Sequence, residues 1–327
     1  MASEPVLAPV LAGEPLAPRN PLSAVRDFAR RRRTLVTVVG SLASAGVLAV
    51  VLVGRRHEFE TALASAAAWV LAVTALLQIV ALLARTEAWH RTIEAAGGTV
   101  DRRVLFRASS MQVLGSLVNG QLGVAARIAA LRRSSPEVSP QIPTLVAAEF
   151  PILAVEAALV ALTSFTLVGP LGLPWWVPLI GIAVMTATCT GLRHLAVRKG
   201  RELWRGLAVV RSLGGGGRLI ALVLVAVIAQ VLRGWLLLHA VGVDASVFDA
   251  IAVLIAVVSL GQLPVGPSVG AGAAVLILGS HGVASAAAAG LLLTVTGTIG
   301  GLCFLAWAGA DTMWSLRRRP APAAGRA

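Results

Sequence analysis

Three stretches, residues 34–53, 61–84 and 284–310, each run for twenty or more positions without one charged side chain. A hydrocarbon core about 30 Å thick needs roughly 20 consecutive apolar residues per helix. Runs of this length constrain the chain to an all-α polytopic membrane protein. Charged residues make up 13% of the sequence, about half the share of a typical soluble domain, so an ordinary soluble globule is excluded.

Taking charged residues as boundaries gives apolar blocks at 34–53, 61–84, 108–126, 144–168, 173–192, 219–241, 250–280 and 284–310. Two of them are interrupted. Block 108–126 carries Asn119-Gly120-Gln121 and is polar for a lipid-facing helix. Block 250–280 carries Gly261-Gln262-Leu263-Pro264-Val265-Gly266-Pro267-Ser268, whose two prolines and two glycines cannot continue a helix. Each is expected to form a re-entrant hairpin, giving about six full spans and two broken helical hairpins. The alternative is that both breaks are kinks in eight ordinary crossings.

With six crossings and the N-terminus inside, the segments before 34, at 85–107, at 132–143, at 193–218 and after 310 hold 24 of the 28 basic residues. Arg55 and Arg56 fall outside, and Arg127 and Arg233 lie within blocks. The distribution follows the positive-inside rule, with both termini cytoplasmic. Of the 28, 27 are Arg and one is Lys199, and Tyr is absent. That bias matches a GC-rich bacterial genome, so the inner (plasma) membrane is the expected location. The net charge of +13 is then matched by the anionic inner leaflet, and nucleic acid is not an expected partner. Loop 193–218 mixes basic and apolar residues as a helix lying on that leaflet would.

The organisation expected is a disordered cytosolic tail at 1–33, a single transmembrane domain at 34–310 and a basic cytosolic tail at 311–327. The Pro-, Ala- and Arg-rich lead is too long for a secretory signal peptide and reads as disordered. Residues 34–168 and 173–310 repeat one order of elements, span, span, hairpin, span, in opposite orientation. Inverted repeats with broken elements in corresponding positions are the plan of secondary transporters.

Charged side chains at membrane depth cost at least a few kcal/mol each and turn toward a partner or a wet cavity (~3 kcal/mol on insertion scales). Glu149 and Glu156 are seven residues apart, which places them on one helix face about 10 Å apart along the axis. By depth, Glu156 is expected to face Arg233 and Glu149 to face Arg127. Gln78, Asn119, Gln121, Gln230 and Gln262 are expected to line the same space, and Pro151 to loosen the helix between the acids. These pairs either fix helix register or leave a guanidinium free to grip phosphate oxygens.

Other positions carry little chemistry. His57, His90 and His194 are placed in loops or at helix ends, and His239 and His281 near the outer face, without metal-ligand spacing. Cys189 and Cys303 are expected to be buried, inert thiols. Gly214-Gly215-Gly216-Gly217 lacks the phosphate-loop pattern and reads as a hinge before the span at 219. Trp175, Trp176, Trp204, Trp307 and Trp314 sit near block ends, as interfacial anchors do. No cofactor, metal or catalytic constellation is legible.

The two breaks and the block order over residues 34–310 resemble the lysylphosphatidylglycerol synthase transmembrane-domain family, which is flippase-like. In that family the first break follows an Asn and runs through Gly-Glu to a basic residue. Here it reads Asn119-Gly120-Gln121-Leu122-Gly123-Val124-Ala125-Ala126-Arg127. The family's second break reads Leu-Pro, then Pro-Gly-Gly-Leu-Gly and a Glu shortly after. Here it is Leu263-Pro264-Val265-Gly266-Pro267-Ser268-Val269-Gly270-Ala271-Gly272. Asn119, Gly123, Arg127, Leu263, Pro264 and Pro267 carry over. The acids do not: Val124 stands where the first Glu is expected, and 272–276 contain none.

The resemblance implies movement of a lipid, or of a lipid-linked head group, between leaflets by a divergent member. Only 17 residues follow position 310 (327 minus 310), so the aminoacyl-transferring half and lipid aminoacylation are not expected. Arg127, Arg233, Glu149, Glu156, Asn119, Gln121 and Gln262 are the candidate head-group contacts. Gly120, Gly123, Pro264, Gly266 and Pro267 make the hairpin breaks. Two other readings stay open. One is a membrane-embedded glycosyl or acyl transferase, for which the outer loops offer the acids Glu58, Glu60, Asp244 and Asp249. The other is a non-transporting accessory subunit of an envelope-building enzyme, partnered by that protein. The oligomeric state is not legible.

Overall fold

The computed structural model describes residues 46, 53–116, 120–134, 140–199, 213–261 and 269–317. The described residues are helical and contain no strand. In chain order the helices are α1 (Arg56–Ser65), α2 (Ala68–Ala95), α3 (Arg102–Ser116), α4 (Gly120–Ser134), α5 (Ile142–Ala147), α6 (Glu149–Thr163), α7 (Val177–Lys199), α8 (Leu213–Ala240), α9 (Val247–Leu260), α10 (Val269–Leu278) and α11 (Val283–Arg317). Short turns over Ser164–Leu167, Val168–Leu171 and Gly279–His281 complete them.

Four segments are long and apolar enough to cross a membrane: Ala68–Ala95, Ile142–Leu171, Gly215–Ala240 and Val283–Ser315. Val177–Thr188, Val247–Leu260 and Val269–His281 are shorter apolar helices. Block 34–53, the tails at 1–33 and 318–327, and residues 200–212 lie outside the described residues, residue 46 and Val53 apart.

Several boundaries set by charge move. The 61–84 block is divided at Ala66 and Ala67, whose ψ angles of 107° and 139° are extended, and the helix that starts at Ala68 runs through Arg85 and Glu87 to Ala95. A charge ends a helix only when it needs water, and these charges are paired within the protein. Gly214–Gly217 are not a hinge but the opening turn of α8, and α11 continues past position 310 to Arg317. The 144–168 block is interrupted at Ala148, the cap shared by α5 and α6. Pro151, which has no N–H for the Ala147 carbonyl, sits just beyond that interruption.

Block 108–126 does not cross straight through. A Cβ on Gly115 of α3 would meet the Leu122 carbonyl at 2.5 Å and Gly123 Cα at 2.7 Å on α4, whereas eight residues of straight helix would separate 115 and 123 by about 12 Å. Within the block α4 therefore packs back against α3, and only glycine at both positions lets the limbs approach this closely. The second interrupted block is likewise two limbs in contact, α9 and α10. With 15, 15, 14 and 10 residues, α3, α4, α9 and α10 are each about 22 Å long or less, short of the ~30 Å hydrocarbon core.

The helices α2, α8 and α11 pack against one another as a central trio. Buried apolar residues form two cores. One contains Ala88, Trp89, Ile93, Leu145, Ile152, Leu219 and Val223. The other contains Val70, Val231, Leu237, Ala252, Ala274 and Leu292. On α2 and α8 the polar side chains Gln78, Arg85 and Gln230 fall between the two.

Candidate functional site

Gln78, Arg85 and Trp89 are separated by seven and four residues on α2, which puts them within about 40° on one face and spreads them over about 16 Å of axis. Each holds one step of a polar column between the helices. At the first step Gln78 meets Arg233 of α8. The Arg233 Nη1 donates to Gln78 Oε1 and, at 2.7 Å, to Gln230 Oε1, while Nη2 donates to the Leu293 carbonyl of α11. Gln230 Nε2 also donates to Gln78 Oε1 at 2.9 Å. Arg233 is 6% exposed and has no carboxylate partner among the described residues. Its Nε is buried without a hydrogen-bond partner among them.

The second step is an ion pair between Arg85 of α2 and Glu156 of α6. The expected partner of Glu156 was Arg233, and this pairing corrects it. Depth counted along the sequence matches Glu156 with Arg233, but it does not determine which way a helix is rotated. Arg85, expected in a cytoplasmic loop, lies inside α2, because a charge that is paired within the protein does not end a helix.

The third step joins Arg127 of α4 to Glu149 of α6, the pairing expected from depth. Arg127 is 1% exposed and its guanidinium lies over the Trp89 ring, 3.7 Å from the centroid. Trp89 is a site residue that the sequence reading missed. Its signal was positional, four residues beyond a charged residue on the face of Gln78.

Glycines of α11 make room for the first step. Gly290, Thr294, Gly297 and Gly301 fall within about 60° on one face. A Cβ on Gly290 would collide with Gly270 and Ala271 of α10, one on Gly297 would meet Arg233 Nη2 at 2.6 Å, and one on Gly301 would meet Val113 of α3 at 2.7 Å. A Cβ on Gly270 would in turn meet Thr294 Oγ1 at 2.7 Å. The limbs of both interrupted blocks thus reach α11 on either side of the Arg233 guanidinium, at Thr294 and Gly301, about 10 Å apart along the axis.

At the far end of α3, Arg107 clasps Asp311 of α11 at 2.6 Å and donates to its carbonyl at 3.0 Å. Glu87 receives Arg102 at 2.8 Å and Arg91 at 3.3 Å. His90 is not in a loop: it is buried in α2, with Nε2 3.2 Å from the Val100 carbonyl. Cys303 is exposed on α11 rather than buried; the Cys189 side chain lies outside the described residues. Asn119, Gln262, Pro264, Gly266 and Pro267, and the side chain of Gln121, lie outside them too. Gly120 opens α4. Of the acids offered for a transferase, Asp249 forms a capping box with Ser246, and Glu60 and Glu58 face Arg56 and Arg55.

No protein-family model, no curated protein sequence and no solved structure matches the chain.

Proposed function

We propose that the chain is a lipid translocator of the bacterial inner membrane, moving a phospholipid or a lipid-linked head group between leaflets. The observation that carries this reading is Arg233. It is a guanidinium held by two amides and a carbonyl, with no counter-charge among the described residues, where α2, α8 and α11 meet and the limbs of both hairpins approach. A buried ion without a partner costs several kcal/mol (~3 or more after relaxation). An anion that enters relieves that cost, and the forked guanidinium matches phosphate oxygens. Amide hydrogen bonds to Arg233 can be exchanged for phosphate contacts without leaving a carboxylate unpaired.

In this reading six helices cross the bilayer, α3–α4 and α9–α10 are re-entrant from opposite faces as halves of an inverted repeat, and both termini are cytoplasmic. The chain is then a divergent member of the lysylphosphatidylglycerol synthase transmembrane-domain family, one that keeps the motif's basic residue at Arg127, lacks the motif acids, and has Arg233 as a further cation of its polar interior.

Reconstitution into vesicles carrying fluorescent phospholipids, followed by dithionite quenching, tests it. Label in both leaflets becoming accessible, above empty vesicles and lost in Arg233→Gln, is the expected result. Turnover of a lipid donor without translocation replaces the reading with the transferase. Neither activity, with a partner protein retained on purification, replaces it with the accessory subunit.

A further inference from the structure

Of the five charged members of the column, Arg127, Glu149 and Arg233 are sealed, each 8% exposed or less. The side chains of Arg85 and Glu156 are 33% and 25% exposed. The column is therefore open at its middle step, between α2 and α6. Leu153, one turn before Glu156 and about 60° from it around α6, is an exposed apolar side chain, so the α6 side of this opening borders an apolar outer surface. The Nε of Arg85 is buried without a hydrogen-bond partner among the described residues. The Arg85–Glu156 pair thus leaves one donor of the guanidinium unused, on a fork that can hold an oxyanion at two points.

Resting on the translocator reading, we propose that Arg85 is the lateral entry station for the anionic head group, and that the head group competes with the Glu156 carboxylate for it. The charges of the column support a single-charged ligand. Arg85, Arg127 and Arg233 face Glu149 and Glu156, which leaves one positive charge in excess. A phosphodiester with one negative charge brings the column to neutrality, whereas a zwitterion leaves Arg233 uncompensated. Glu156, released from Arg85, remains within reach of Arg127 on α4, with Glu149 two turns away on its own helix. The exchange breaks and forms no covalent bond.

The test uses the full chain in phosphatidylcholine nanodiscs with trace spin-labelled phosphatidylglycerol or phosphatidylcholine, reading the protein-bound fraction of each probe by electron paramagnetic resonance. The wild type should prefer phosphatidylglycerol. Glu156→Gln should raise that preference about fivefold, the scale of one partly exposed charge contact, and Arg85→Gln should abolish it, with Arg85→Lys intermediate. The double variant Arg85→Gln/Glu156→Gln removes both charges at once, and should show no preference while keeping the wild-type unfolding temperature. Wild-type preference in Arg85→Gln, or equal losses in Arg85→Gln and Glu156→Gln, overturns the proposal. A preference that follows Arg85 in a protein that moves no lipid overturns the translocator reading and leaves the site. Translocation without such a preference overturns the site alone.

Discussion

The guanidinium of Arg127 lies on the indole face of Trp89, with its carbon 3.7 Å from the ring centroid and both side chains buried. The ring and the Glu149 carboxylate together replace the water that a buried arginine gives up, so this step of the column is held by two unlike partners.

Trp89→Leu keeps the site apolar but removes the π face and leaves a void. It should destabilise the protein by about 2–4 kcal/mol, read by thermal unfolding in detergent. A change within about 0.5 kcal/mol, the range of ordinary surface substitutions, would count against the stacking.

Breaking the Arg127–Glu149 pair from one side strands a buried charge. Arg127→Gln and Glu149→Gln should each cost about 3–5 kcal/mol, and the double variant less than the sum of the two. Additive losses in a double-mutant cycle would show that the two side chains do not interact.

Charge reversal distinguishes partners for Glu156. Arg85→Glu combined with Glu156→Arg should recover much of the stability lost in either single variant, whereas Arg233→Glu with Glu156→Arg should recover none. Recovery by the second combination in the same unfolding assay would restore the pairing expected from depth.

Glycine substitutions on α11 should separate packing from head-group transfer. Gly290→Ala drives a methyl group into the backbone of α10 and should cost about 1–3 kcal/mol. Gly297→Ala drives one into the Arg233 guanidinium, and should lower lipid movement more than stability. Gly272→Ala meets nothing within 4 Å and should leave both unchanged. Equal effects on lipid movement from Gly272→Ala and Gly297→Ala would remove Arg233 from the transfer path.

Topology is open to chemistry. In a Cys189→Ser/Cys303→Ser background, a cysteine at Gly120 should react with an impermeant maleimide from the cytoplasmic side and one at Gly266 from the outer side. Labelling of both from one side would eliminate the inverted repeat.

Much of the architecture was legible before any coordinates. Apolar runs marked the long helices, because only hydrocarbon length and backbone satisfaction matter there. The breaks at Gly120 and around Gly261–Pro267 marked the interrupted blocks, because glycine and proline act locally. The rare polar residues in apolar sequence, Gln78, Glu149, Glu156, Gln230 and Arg233, marked themselves. Three features were hidden. Arg85 looked like a boundary because its charge is indistinguishable in sequence from a solvated one. Trp89 looked like one more core residue. Cys303 looked buried because hydrophobic context does not say which helix face meets a neighbour.

The sequence by itself determined that this chain is built of membrane-length helices with two interruptions and a few costly polar groups within them. Tertiary structure decided which of those groups meet. Spacing along one helix places Glu149 and Glu156 on a common face, but their partners depend on how α2, α4 and α8 are rotated against α6. That rotation is set by close contacts between elements far apart in sequence, such as Gly300 of α11 against Ala75 and Gln78, and Gly297 against Arg233. Packing of this kind is a property of the assembled bundle, and it sends Glu156 to Arg85 while leaving Arg233 without an acid among the described residues.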